Sequence, residues 1–506
     1  MMKTRTLVGG AHIKTSGAGL LAAAIFFTGV HATAQRARSA EGEIKRDESK
    51  ELQMKITAPF TVAMIGDIIE PEPVSDRIDP GYQNLIEAIR SADVGFANME
   101  ASLSDFSHFN GPLSGTMAPK EVAKTTKAMG IGIVNRANNH TLNGGVEGMF
   151  STDAALDEVG IVHSGTGKDL EEARAAHFLD TPKGRVGLVG MFSIDDPTYT
   201  QSEATYRLGN LGGRPGLDGL RLNRYNTVTQ PQFDQLKAMR DAIMARRPEV
   251  ANPVDPISPT DPADELDVFG SLYKVGDRIG DLTYTMNASD LHDILRSIRS
   301  GKYYSDFMIA TIHVHQNDFA FQHYSFDHTT PPFLVDLAHK CIDNGADAFV
   351  AHGVHTLRGV EIYHGKPIFY GISNFVLQVG LQIQDNPSAY LSKGDNPYTT
   401  DMTEAQANER GWAWLQKPDN LETLLVTSHF ENGKLVEVRL YPADLGQGEN
   451  RPISRMGIPE TPSPEMAQRV LKELQELSKP FGTTIAIENN VGIIHIAPET
   501  KTPSNR

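Results

Sequence analysis

The chain is short of the features that most simply hold a protein together or hold it to something else. It has one cysteine, Cys341, so no internal disulfide can form. Stability must therefore come from a sizeable core, with bound metal as the other available source. Positive charge is also scarce, and 47 Lys and Arg against 63 Asp and Glu leave a formal charge of −16. Such a surface offers neither counterion release nor steering toward nucleic acid or anionic lipid, which excludes a nucleic-acid partner. It equally excludes gripping a polyanion by bulk electrostatics, so an acidic substrate would need a metal or a few arginines at the point of contact. There is no internal repeat, no coiled-coil heptad and no Gly-rich phosphate-binding loop.

A long apolar run occurs once, at the start. Lys3, Arg5 and Lys14 precede the apolar stretch Gly17 to Val30 (GAGLLAAAIFFTGV), and Ala32-Thr33-Ala34 follows as an A-x-A cleavage site. The run is shorter than the ~20 residues needed to cross a bilayer. It reads as a signal peptide over 1–34, with no spanning segment left after cleavage. No cysteine follows it, so a lipoprotein anchor is excluded. Its three cations leave with it and take the charge from −16 to −19. Secretion without disulfides points to a periplasm. Residues 35–56 are polar and charged and form a flexible lead-in.

From residue 57 to about 446 the pattern is one α/β domain, in which short β-rich runs alternate with helical ones. Two long excursions, about 193–285 and 378–420, interrupt it as lids, binding loops or disordered segments. Residues 447–506 add a helix near Pro464 to Ser478 and a tail packed on the domain. The helix after Pro331-Pro332 has one apolar stripe, and that stripe makes Cys341 a core residue, not a nucleophile.

Five strands end in polar residues of metal-ligand type. The segments are Gly66-Asp67, Asn98-Met99-Glu100, Asn138-Asn139-His140, His313-Val314-His315 and His352-Gly353-Val354-His355. Loops at the carboxyl ends of parallel strands converge on one crevice. Mixed Asp, Asn, Glu and His donors suit a divalent Mn, Zn or Fe, as one or two ions. Two such ions about 3.5–4 Å apart can activate water and clamp a leaving oxygen. Each member alone also has a bland reading, Asp67 as a turn cap, Asn98 and Glu100 as loop hydrogen-bonders, His352 and His355 as core histidines. The constellation is the stronger signal.

The order and wording of these segments resemble the CapA-type family of capsule (poly-γ-glutamate) synthesis proteins. The resemblance runs through Ile65-Gly66-Asp67, Ala97-Asn98-Met99-Glu100, Ala137-Asn138-Asn139-His140, His313, His352-Gly353-Val354-His355 and Tyr370-Gly371-Ile372-Ser373-Asn374-Phe375. It spans about Thr57 to Phe375, the inserted segment excepted. It implies a metallophosphatase-like, four-layer αββα sandwich. Carried over by position, it makes Asp67, Asn98, Glu100, Asn139, His313, His352 and His355 the metal-binding set. It makes His140 an acid beside the substrate and puts Asn374 at the border of the site. Arg136 and Arg358, with Arg214, are the arginines available to an anionic substrate. Ala351, Val354, Val314 and Ser373 depart from the family's usual Gly, Pro, Trp and Gly, which bears on loop geometry. The carboxylate count is low and no bridging Asp is evident.

Three functions fit this reading. One is an accessory protein in synthesis or export of poly-γ-glutamate or another envelope polymer, partnered with capsule machinery. Another is a periplasmic metal-dependent hydrolase of phosphoesters or amides, with His140 protonating the leaving group. The third is a non-enzymatic scaffold that uses the insertions as its binding surface.

Overall fold

In a computed structural model of the chain, residues 47–74, 79–112, 115–196, 202–246, 264–320, 327–378, 417–446 and 451–496 are described. The signal peptide, most of the lead-in and residues 379–416 of the second excursion lie outside them. A short helix, Glu48–Glu51, belongs with residues 1–51, and residues 52–506 form a separate compact unit. No helix of the described residues is long and apolar enough to cross a membrane.

The architecture follows from a period of two in the central strands. In Phe60–Ile69, Phe60, Val62 and Met64 point one way and Ala63 and Ile65 the other, and both sets are buried. In Phe307–His313, Phe307 and Ile309 oppose Met308, Ala310 and Ile312 in the same manner. A strand buried on both faces must sit in a covered sheet. Phe60, Val62, Met64, Phe96 and Ile133 of one sheet meet Val186, Leu188, Phe307, Ile309 and Val350 of the other in a shared core.

The outer faces are covered by helices. Tyr82, Leu85, Ile86 and Ile89 of helix Pro80–Arg90 pack on the first sheet, with residues of Val122–Ala128 and Gly145–Glu158. Ile294 and Ile298 of Ala288–Tyr304 pack on the second. So do Phe333, Leu334, Leu337, Ala338, Cys341 and Ile342 of Pro332–Asp343, and Cys341 is fully buried as its stripe requires. The layers are thus α, β, β, α, as expected.

The first sheet runs Ala486–Glu488, Val491–His495, Lys434–Asp444, Glu422–Glu431, Phe60–Ile69, Val94–Met99, Ile131–Asn135 and Val162–Ser164, with Asn374–Leu377 paired to the end of Phe60–Ile69. The second runs Glu265–Val268, Ser271–Val275, Gly219–Val228, Gly184–Ile194, Phe307–His313, Ala348–His352, Lys366–Phe369 and Val360–Tyr363. The strands that carry the polar segments are parallel neighbours: Asp67 lies level with Asn98, Asn98 with Asn135, and His313 with His352.

Two segments outside the central alternation also join the sheets. The first excursion contributes strands to the second sheet, since Gly219–Val228 pairs in parallel with Gly184–Ile194 and carries three more strands at its edge. Its alternation, Leu220, Leu222 and Tyr225 buried between exposed residues, is hidden among polar and proline-rich text. The C-terminal segment is integral to the domain. Met466, Val470, Leu471 and Leu474 enter the inter-sheet core, and Val491–His495 adds to the first sheet. Replacing Ile309, fully buried between the sheets, with Ala should cost about 2–5 kcal/mol. The urea midpoint should fall accordingly with an unchanged m value, and an unchanged midpoint would mean the sheets are not packed through this residue.

Candidate metal centre

Asp67 comes from the end of its strand into the space between the two sheets, fully buried. Its Oδ1 accepts a hydrogen bond from Asn98 Nδ2 at 2.8 Å, and its Oδ2 accepts from the Gly353 amide at 3.0 Å. Three imidazoles surround the carboxylate. His352 Nδ1 is 3.3 Å from Oδ1, His313 Nδ1 3.8 Å from Oδ1, and His355 Nδ1 3.7 Å from Oδ2. Burial alone would raise the Asp67 pKa. Hydrogen bonding and charge from His352, then His355 and Asn98, outweigh it and hold the carboxyl below its ordinary value.

Glu100 has no such help. It is fully buried, and neither carboxylate oxygen has a hydrogen-bond partner among the described residues. Its Oε1 lies 3.7 Å from His140 Nε2 and 3.7 Å from His313 Nε2. Burial, and then the nearness of Asp67, push its pKa well above the usual carboxylate range. Burial also holds His313 well below the ordinary imidazole value, assisted by His315 and His352, and lowers His355. Desolvation brings His140 down to about 4, although 19% of its side chain is exposed. Burial thus favours the neutral form of His140, His313 and His355, the form in which an imidazole binds a cation.

The donor atoms fall into two adjoining triads, Asp67 with His313 and His352, and Glu100 with His315 and His355. Within each, one donor atom per residue lies within 4.8 Å of the others. His313 Nδ1 approaches His352 Nδ1 at 3.0 Å, and His313 Nε2 approaches His315 Nε2 at 3.0 Å. Ring nitrogens so close, beside an orphaned carboxylate, are what a divalent cation would resolve. The residues present fit Mn, Zn or Fe better than an all-oxygen Ca or Mg site.

The backbone is shaped to allow this packing. Gly353 has φ +95, and a Cβ there would stand 2.7 Å from the His313 ring. His355 and Ser373 hold positive φ, 60° and 61°, where a side chain is strained. Ser373, at the position where the family resemblance leads one to expect glycine, bonds its hydroxyl to the His355 carbonyl.

Asn98 is a hub. Its Oδ1 accepts from Asn135 and Asn138, while its Nδ2 donates to Asp67 and stands 3.2 Å from His313 Nδ1. Asn139 has a buried, unpartnered Oδ1. Asn374 sits behind His355, its Oδ1 2.7 Å from His355 Nδ1. Arg136 and Arg358 are fully buried and turned elsewhere. Arg136 pairs with Asp153 and donates to the Met99 and Ala101 carbonyls, and Arg358 pairs with Asp327 and donates to Gln316. Arg214 donates to the Glu203 carbonyl. Among the described residues, the ion-pair partners of Asp67 and Glu100 are all imidazoles.

Sequence reasoning named His315 and Asn138 among the polar strand ends but left both out of the metal-binding set. Position i+2 after His313 signals a shared strand face, so His315 was within reach. Asn138 and Asn139 are adjacent and indistinguishable until the loop conformation is known. Asn139, His140 and His315 are the half-buried members, so the centre opens on their side.

A family model for bacterial capsule synthesis protein PGA_cap matches residues 61–379. The Sinorhizobium fredii protein y4sH is 35% identical over 473 residues, 90% of this chain and 98% of its own length. A Mycobacterium tuberculosis protein described as a probable polyglutamine synthesis accessory protein is 25% identical over 308 residues, 60% of this chain and 61% of that one. The capsule biosynthesis protein CapA of Bacillus anthracis is 20% identical over 408 residues, 73% of this chain and 79% of its own.

Gly353→Ala should leave the protein folded and weaken Zn or Mn binding ~10–100-fold, as disturbing the support of a ligand ring does. Calorimetric titration beside the native chain reads this directly, and equal affinities would show that the His313 ring is not a ligand.

Proposed function

We propose that this chain, which belongs to the bacterial capsule synthesis protein PGA_cap family, is an exported, periplasmic accessory of envelope-polymer biosynthesis built around a divalent metal centre. The observation that carries the proposal is the pair of adjoining donor triads around a buried carboxylate with no hydrogen-bond partner. Relatives described as capsule biosynthesis and polyglutamine synthesis accessory proteins support an anionic, amino-acid-based polymer such as poly-γ-glutamate, or a smaller anionic piece of one, as the ligand. Its machinery of synthesis or export would be the partner.

Charge decides how such a ligand is held. The chain is strongly acidic, and the arginines that the sequence offered are committed to internal partners. Bound divalent ions would supply both the missing positive charge and Lewis-acid polarisation of a ligand oxygen. Asp67, His313 and His352 would hold one, Glu100, His315 and His355 the other, with Asn139 Oδ1 as a further oxygen donor on the open side. Asn98 orients Asp67, and Asn374 orients His355.

A second reading, a metal-dependent hydrolase of phosphoesters or amides, is favoured by one feature. The solvent-open side of the centre carries His140, a titratable side chain beside Glu100.

Deleting the gene should lower cell-surface anionic polymer several-fold, measured by extraction and quantitation from washed cells. The native chain should restore it and His313→Ala/His352→Ala should not. Full restoration by the doubly substituted chain would separate the polymer role from the metal centre and sink the proposal.

A further inference from the structure

Asn143 lies outside both donor triads, yet its amide oxygen is an acceptor held next to the open side of the centre. The Thr116 backbone N–H donates to Asn143 Oδ1 at 3.0 Å. A backbone N–H can only donate, so this bond fixes which end of the amide is oxygen. The same Oδ1 lies 2.6 Å from His140 Nδ1. An oxygen facing a ring nitrogen at that distance requires the nitrogen to carry the hydrogen. Gly115 is what lets the two strands of contact meet, since a Cβ at 115, where φ is +52, would stand 2.7 Å from Asn143 Oδ1. The His140 backbone is held as well, its N–H donating to Asn138 Oδ1 and its carbonyl accepting from Ser102 Oγ.

We infer that Asn143 is a positioning residue that fixes His140 as its Nδ1–H tautomer, so that Nε2 presents a lone pair to the crevice beside Glu100. The neutral ring then cannot donate a proton at Nε2. It accepts one, and the group that approaches it must bring a hydrogen, as water or a hydroxyl does. The acid role that the family resemblance suggests for His140 is thereby reversed in direction. With Glu100 ionised, Nε2 and Glu100 Oε1, 3.7 Å apart, are two acceptors facing the same space. That is a stable arrangement only around a hydrogen donor or a cation. This inference deepens the proposed function and rests on its assignment of the site, but the tautomer itself is a property of the metal-free chain.

The test is two-bond 15N–1H correlation spectroscopy of the full chain labelled with 15N-histidine, stripped of metal, at neutral pH, with His140→Gln to assign the signals. The expected pattern for His140 is a pyrrole-type Nδ1 and a pyridine-type Nε2. Asn143→Asp keeps an acceptor for both donors and should preserve the pattern. Asn143→Leu should lose it and give averaged shifts. Should Asn143→Leu fail to fold, Gly115→Ala, which pushes the amide off the ring, should give the same loss. A pyrrole-type Nε2 in the native chain, or an unchanged pattern in both Asn143→Leu and Gly115→Ala, would overturn the inference. A native ring with the expected tautomer in a chain that binds neither Zn nor Mn would sink the metal reading and leave this one standing.

Discussion

Two carboxylates, Asp67 and Glu100, are buried within the same site of a two-sheet sandwich, and the rest of the site exists to make that tolerable. Burying one unpaired carboxylate costs several kcal/mol, and burying two that repel each other costs more. The protein relieves Asp67 with an asparagine, a backbone amide and a ring of histidines. It leaves Glu100 without a donor. Such a group is relieved either by a proton, as its raised pKa implies, or by a positive charge that arrives from outside the chain. The second is the physical basis for treating the centre as a metal site and not as a polar core.

The sandwich supplies the place. Parallel strands from both sheets end at one level, so short polar tails on each meet in the gap that the inter-sheet core leaves open. Strand pairing sets the register, with His313 level with His352 and Asp67 with Asn98, and it does so with fully buried aliphatic residues behind each pair. Strained loops then bring the last donors in. The positive φ of His355 and Gly353 and the close approach of Gly353 to His313 are the cost of fitting three imidazoles around one carboxylate. Polar groups behind the donors, Asn98, Asn374 and Thr311, take up the remaining nitrogens and oxygens.

Much of this was legible in the chain. The period-two strands and the stripe around Cys341 announced a layered α/β core, and the polar strand ends announced one crevice. What was not legible depends on loop conformation or on weak local pattern. Arg136 follows a strand and looks available to a ligand, but only the fold reveals that it turns back to Met99, Ala101 and Asp153. The segment around Gly219 to Met286 reads as an excursion because polar and proline-rich text separates its strands, although it extends the second sheet. His315 was named at its strand end but left out of the metal-binding set because the family resemblance singles out His313, whereas the fold places it beside Glu100 and His355, in the triad next to that of His313.

The central claim is that this arrangement holds metal, and elemental analysis of the purified chain beside the His313→Ala/His352→Ala variant tests it most directly. One or two Mn, Zn or Fe ions per chain, lost in the variant, is the predicted result. No stoichiometric metal in the native chain, even after reconstitution with Mn or Zn, would contradict it and leave a buried polar cluster on a scaffold.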